Sequence, residues 1–254
     1  MGADHRVAGG LTVLQETLDY LTASDSWWGR NGLVNLLWNH VRLSVFTVLT
    51  AMAVAIPAAL WFGHRRRGGG IAVTVVNLSR AIPTFAIIAL VFPFSLRYGF
   101  GLGFWPTFVA LFFLALPPIF VNVFTGVTEV DRDVVDAARA MGMREREVLL
   151  DVELPAALPL LATGVRISAV QVVATTTLGA LVGFRCLGSP ILQGLATRDY
   201  GRVIAAAVIV ALLSLATEFA FALLARRLSP WSRPNVGAAR VRTPRTGAAA
   251  DLAI

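Results

Sequence analysis

Apolar residues fall into five long runs along this chain, at about Val34 to Phe62, Ile71 to Leu96, Phe104 to Phe124, Leu158 to Val182 and Val203 to Leu224. A hydrocarbon layer about 30 Å thick takes roughly 20 mostly apolar residues to cross as α-helix, and each run is long enough. The pattern therefore predicts an all-α membrane protein with five transmembrane helices. Pro57, Pro83, Pro93, Pro117 and Pro118 are expected to kink or end the helices that hold them. Ahead of the first run, Leu11, Leu14, Leu18 and Leu21 recur at helical spacing and suggest a short amphipathic helix at the membrane surface; a frayed terminal arm is the alternative. No basic start leads into an early apolar run, so no cleavable signal peptide is expected. The chain divides into an extracytoplasmic segment (1–32), a transmembrane domain (33–228) and an Arg-, Pro-, Gly- and Ala-rich tail (229–254) that reads as disordered.

Composition agrees with the membrane reading: 56% of residues are hydrophobic, 15% are charged, and mean hydropathy is +0.70. All 22 basic residues are arginine. Thirteen lie in the first loop, the long charged loop after the third run and the tail, against six on the other side. The positive-inside rule puts the amino terminus outside and the charged loop and carboxyl terminus in the cytoplasm. A soluble chain with pI ≈ 11.1 would raise nucleic-acid binding. Here the arginines flank apolar spans, so topology and anionic membrane lipid account for them, with no nucleic acid as partner. The absence of lysine excludes a P-loop ATPase and a Schiff-base enzyme. His5, His40 and His64 are scattered and build neither a metal site nor a catalytic cluster. Cys186, the one cysteine, can form no internal disulfide and reads as a small buried or interfacial apolar residue. With no paired catalytic groups at usable spacing, the chain is not read as an enzyme.

The charged loop has its own helical period. Val134, Ala137, Ala138 and Met141 recur on one face as a small apolar stripe, while Asp133, Asp136 and Arg139 occupy the others. Gly142 interrupts the run; Glu145, Val148, Leu149 and Val152 restart it until Leu154-Pro155 closes it. Two short helices joined at a bend are expected. The small residues Ala137, Ala138 and Gly142 allow the close backbone approach that a knob docking on another protein requires.

The same loop reads Asp136-Ala137-Ala138, three residues, Gly142, nine residues, Val152, any residue, Leu154-Pro155. It resembles the cytoplasmic signature of ABC import permeases, E-A-A, three, G, nine, I, any, L-P, with Asp136 where Glu is commoner and Val152 where Ile is. The resemblance extends from about Leu37 to Leu228 and points to the osmoprotectant branch. Trp38-Asn39-His40-Val41-Arg42-Leu43-Ser44 resembles that branch's W-x-H-x-x-L-S, Ala81-Ile82-Pro83-Thr84 its I-P-S/T turn, and Gly164-Val165-Arg166 its G-I-R. Ala174 to Gly183 is similar to its A-T-A-T-L-G-A-F-V-G, and Gly194 to Gly201 matches it as well. Where such permeases have Gly-Gly-Leu-Gly, this chain has Arg185-Cys186-Leu187-Gly188, so bulk and charge replace flexibility there. The resemblance implies a type I ABC importer transmembrane domain for glycine betaine, carnitine, choline or proline. It also implies a cytoplasmic ATPase dimer gripping the signature loop, a separate extracytoplasmic substrate-binding protein, and a second permease copy or sister permease. The chain itself then needs no cofactor, since ATP and Mg are used by the partner ATPase. A permease for another small solute such as methionine is the nearer alternative, and an ATPase-independent channel or secondary transporter the farther one.

Polar groups inside the spans are either structural or line a path. For Arg80 and Arg166, snorkelling or pairing with a carboxylate of the signature loop is preferred to solute contact. Gln171, Thr175, Thr176 and Thr177 either line a hydrated path or bond within the helix bundle, the commoner fate. Trp27, Trp28, Trp38, Tyr98 and Trp105 gather on the outer side, where an interfacial belt is preferred to a cation-binding cage.

Overall fold

The computed structural model describes residues 4–66, 69–79 and 81–228, with side chains from 12 to 224 within those ranges. Arg67, Arg80 and the tail from 229 lie outside the described residues. All regular elements among the described residues are helical. In order they are α1 (Asp4–Thr22), α2 (Ser24–Trp27), α3 (Leu33–Arg65), α4 (Gly69–Leu78), α5 (Thr84–Arg97), α6 (Phe104–Thr128), α7 (Arg132–Ala140) and α8 (Glu145–Glu147). A π turn (Val148–Glu153) leads from α8 into α9 (Leu154–Thr175), which tightens to a 3-10 end (Thr176–Val182) before α10 (Gly188–Thr197) and α11 (Tyr200–Leu228). Among the described residues, four helices are long and apolar enough to cross a membrane: Leu33–Arg65, Phe104–Thr128, Glu145–Val182 and Tyr200–Leu224.

The second apolar run is two shorter helices, α4 and α5, rather than one continuous helix. Pro83 caps α5 and has no N–H to continue a ladder, so the chain turns between Ser79 and Pro83. Pro57, Pro93, Pro117 and Pro118 neither end nor interrupt their helices in sequence. Pro117 and Pro118 are buried, where neighbouring helices cover the backbone they free, whereas Pro57 and Pro93 lie on exposed faces of their helices. Leu154-Pro155 also fails to close the hairpin. Pro155 enters at the first turn of α9 and the preceding turn widens to i→i+5 bonding, with Leu154 N–H donating to Leu149 O. That shift absorbs the N–H missing at Pro155, so one helix runs from the hairpin to Val182.

At the centre α6 lies against α3 and α9. On α3, Ala51, Ala55, Ala59 and Gly63 repeat every four residues and are fully buried or nearly so. They form a flat seam that lets α6 approach; a Cβ on Gly63 would lie 2.9 Å from Val127. On α9, a Cβ at Gly164 would lie 2.6 Å from the Pro118 carbonyl oxygen and 2.8 Å from Asn122 Cβ. Leu111, Ile119, Val123 and Val172 fill the space between the seams. α11 packs on α9 from outside, α10 tucks against the 3-10 end, and α1 crosses the start of α11, where Gly201 leaves room for Glu16 and Arg202 lies 5.3 Å over the Tyr20 ring. The amino-terminal helix therefore exists, with Leu14 and Leu18 on its exposed side.

Gly164→Ala is expected to destabilise the bundle by about 1–3 kcal/mol, because its methyl meets backbone that cannot move aside. Gly70→Ala, with nothing within 4 Å of the new methyl, serves as the control and is expected to leave the thermal midpoint in detergent unchanged or raised.

Candidate functional site

The hairpin between α6 and α9 is built by local capping. The Asp131 carboxylate accepts from Asp133 N–H at 3.0 Å and starts α7. At the other end Met143 N–H donates to Ala138 O and Gly142 N–H to Arg139 O, the paired bonds of a Schellman stop. Gly142 has φ +89°, a conformation that favours glycine, and Met143 packs back on Ala138. The Glu147 carboxylate accepts from Arg144 N–H at 2.7 Å and opens the second helix.

The single apolar stripe expected on α7 is in fact two faces. Val135 and Ala138 are buried against Val148, with Val130, Met143 and Val152 around them. Val134, Ala137 and Met141 are left exposed, Met141 at 77%. At roughly 100° per residue Ala138 sits between the faces, which is why it reads with either. Asp136 is exposed and pairs with Arg139, at 3.4 Å. Leu154 is half-buried and Pro155 exposed where the π turn meets α9.

Charged groups then tie the hairpin to the end of α3. Arg139 grips Glu145 through two 3.0 Å bonds, which hold the Glu145 carboxyl below its usual range. Glu145 Oε2 lies 3.0 Å from His64 Nε2, and His64 Nδ1 lies 2.6 Å from Glu153 Oε2. Arg66 donates to Val130 O at 2.9 Å. A cleft of about 360 Å³ beside this chain is walled by His64, Arg65, Arg66, Arg132, Asp136 and Arg139. Nothing in the spacing of His64, Glu145 and Glu153 announces their meeting. The only sequence signal is that an acid at 153 heads an apolar run and needs a partner.

The residues singled out within the spans separate into two groups. His40, Ser44 and Thr176 form a buried seam between α3 and the top of α9: His40 Nε2 lies 2.8 Å from Val173 O, and Ser44 Oγ lies 3.0 Å from Thr176 Oγ1. Thr175 is half-buried beside it. Gln171 instead faces a cleft of about 270 Å³ at the α4–α5 break, together with Ser79, Ile82, Pro83, Thr84, Ile87 and Leu114. Arg166 pairs with Glu218 of α11, not with a carboxylate of the signature loop, because its turn of α9 faces α11. Arg80 lies outside the described residues. Among the described residues no ring contact joins any two of Trp27, Trp28, Trp38, Tyr98 and Trp105, so they form no cage within the chain.

The departure at Arg185-Cys186 has a simple account. Neither residue has positive φ, so glycine is not needed there. Cys186 and Leu187 are buried, the Cys186 thiol donating to Thr176 O at 3.3 Å, while Arg185 points out. Glycine is needed at Gly188, where a Cβ would lie 2.1 Å from Thr177 O.

Apolar spans carrying one protruding hairpin with an exposed apolar strip define the membrane subunit of a transporter that is driven from outside the bilayer. Residues 51–230 match the family described as binding-protein-dependent transport system inner membrane component, and the chain belongs to that family. It is 34% identical to the carnitine transport permease protein OpuCB of Listeria monocytogenes over 80% of this chain and 90% of that one. It is 30% identical to the choline transport system permease protein OpuBB of Bacillus subtilis, over 76% and 87% respectively. A chain of the MetNI methionine ABC transporter, solved in inward-facing conformations, superposes with a TM-score of 0.69 at 24% identity, covering 77% of this chain and 95% of its own. That likeness speaks for the fold. The chain is thus an ABC importer permease, a multi-pass bacterial membrane protein whose partners are an ATPase that hydrolyses ATP and a substrate-binding protein.

Burial pushes the Cys186 thiol up to about 11. Negligible labelling by a water-soluble disulfide reagent at about pH 8 is expected for the folded protein, since the thiolate is the reactive form, and full labelling in denaturing detergent.

Proposed function

We propose that this permease forms half of the translocation path of an osmoprotectant importer, for a solute such as glycine betaine, carnitine, choline or proline. The printed substrates of the relatives, carnitine and choline, support that solute class over methionine. The observation that carries the coupling role is the exposed strip of Val134, Ala137 and Met141 on a hairpin otherwise packed and ion-paired to the spans. This strip docks into a groove of the ATPase, with Asp136 at its edge. The signature hairpin lies in the cytoplasm and the amino terminus outside. The arginine distribution supports this orientation, as do the contacts that hold His64 and Arg66, at the end of α3, against the hairpin. The Gln171 cleft at the α4–α5 break supplies polar groups to one wall of the path, and a second copy or a sister permease supplies the facing wall. ATP binding draws the ATPase dimer together, the hairpins follow, and the spans open outward; hydrolysis resets them.

Uptake of labelled glycine betaine, choline, carnitine, proline and methionine in cells with and without this gene tests the solute class. Loss of betaine-type uptake is the expected result; loss of methionine uptake alone would sink the assignment. Gly142→Asp strains a positive-φ position and Met141→Asp puts a charge in the docking strip. Both proteins are expected to reach the membrane yet bind the ATPase about tenfold or more weakly, as for a lost interface anchor. Normal transport by Gly142→Asp would refute the lever.

A further inference from the structure

Glu153 is fully buried at the root of the hairpin, and its Oε1 has no hydrogen-bond partner among the described residues. Its other oxygen meets one group, His64 Nδ1, at 2.6 Å. A carboxylate so placed is tolerated only because that partner is there. The same imidazole turns its second nitrogen to Glu145, which Arg139 holds on α7. Both ring nitrogens thus face carboxylate oxygens.

The hairpin enters α9 through a π turn, a local irregularity in an otherwise continuous helix. It joins α6 through the short link at Glu129 to Asp131. The last turn of α3 braces both roots, Arg66 at Val130 O and His64 at Glu145 and Glu153.

We propose that His64 is the positioning residue of coupling: by bracketing Glu153 and Glu145 it locks the hairpin to the first span, so that displacement of the hairpin moves α3 together with α9. The inference rests on the coupling role proposed above. It assigns His64 no contact with solute or nucleotide.

The test uses His64→Gln in the purified permease and in the whole transporter, ATPase and binding protein included, reconstituted in proteoliposomes. Amides of residues 132–147 are expected to exchange hydrogen about tenfold faster, the scale of one lost charge-assisted hydrogen bond. ATP hydrolysed per labelled glycine betaine imported is expected to rise by a similar factor. Adding Glu153→Gln, which removes the stranded charge, is expected to return membrane abundance and thermal midpoint toward wild type while leaving the ratio high. His40→Gln is the structural control: it disturbs a buried histidine of the same helix at the other end of the bundle, and should lower stability without changing the ratio. If His64→Gln alone fails to assemble, the double variant is measured in its place. Unchanged exchange and an unchanged ratio would overturn the proposal. If the wild-type transporter imports no betaine, the functional reading fails, and the exchange measurement on the permease still decides whether His64 holds the hairpin.

Discussion

Helices in a bilayer gain nothing by hiding apolar surface from water that is not there, so α3, α6 and α9 hold together only where their backbones come close enough for dense contact. The seam of Ala51, Ala55, Ala59 and Gly63 on one side of α6, and Gly164 on the other, meets that requirement. Larger side chains at those positions would separate the helices and the contacts that depend on their spacing. The 2.8 Å bond from His40 to Val173 O and the Ser44–Thr176 bond are possible only at that spacing. So is the reach of His64 from the end of α3 to Glu153 beneath α9.

The same lack of water dictates where polar groups go. Among the described residues Thr47 Oγ1 and His40 Nδ1 are buried groups of α3 without a partner, whereas Ser44 and Thr176 bond to helix backbone and to each other. Arg166 and Glu218 neutralise one another between α9 and α11. Gln171 is different. It stands at a cleft where the second span is broken, and the break itself exposes backbone that a continuous helix would have hidden. Irregular backbone at membrane depth is tolerable where it is covered by protein or borders a hydrated cavity. The interruption between α4 and α5 is therefore consistent with the path-lining role proposed for Gln171.

Much of this was legible in the chain because helical periodicity and span length are local properties. The four long spans and the bend at Gly142 follow from spacing alone. The signature residues also identified the hairpin, but not how it sits: the expected stripe of Val134, Ala137, Ala138 and Met141 divided because Val135 and Ala138 pack on Val148, a contact set by the return of the chain. The π turn was not legible, since it arises from a compromise between Pro155 and the continuation of the helix. Least legible was the bracket at His64, which joins positions 89 residues apart. An isolated histidine and an isolated acid each look unremarkable in sequence, and only the fold makes them necessary to one another. The Arg185-Cys186 departure shows the reverse: a change that looks disruptive in the sequence meets ordinary backbone angles and a pocket that suits a thiol.

On the proposed coupling role, this subunit has a mechanical problem to solve, because free energy arrives at one small exposed surface and has to act on helices tens of ångströms long. The hairpin answers by giving its faces different tasks. Val135 and Ala138 bind it inward, Val134, Ala137 and Met141 look outward, and the flank of Asp136 and Arg139 leads through Glu145 to α3. Charge suits the inward connection better than more apolar contact would. A hydrophobic patch slides, whereas a ring held between two carboxylates has a fixed direction and loses energy steeply when displaced. The desolvation of Glu153 that makes the bracket costly is what makes it stiff, for the buried carboxylate has nowhere else to turn.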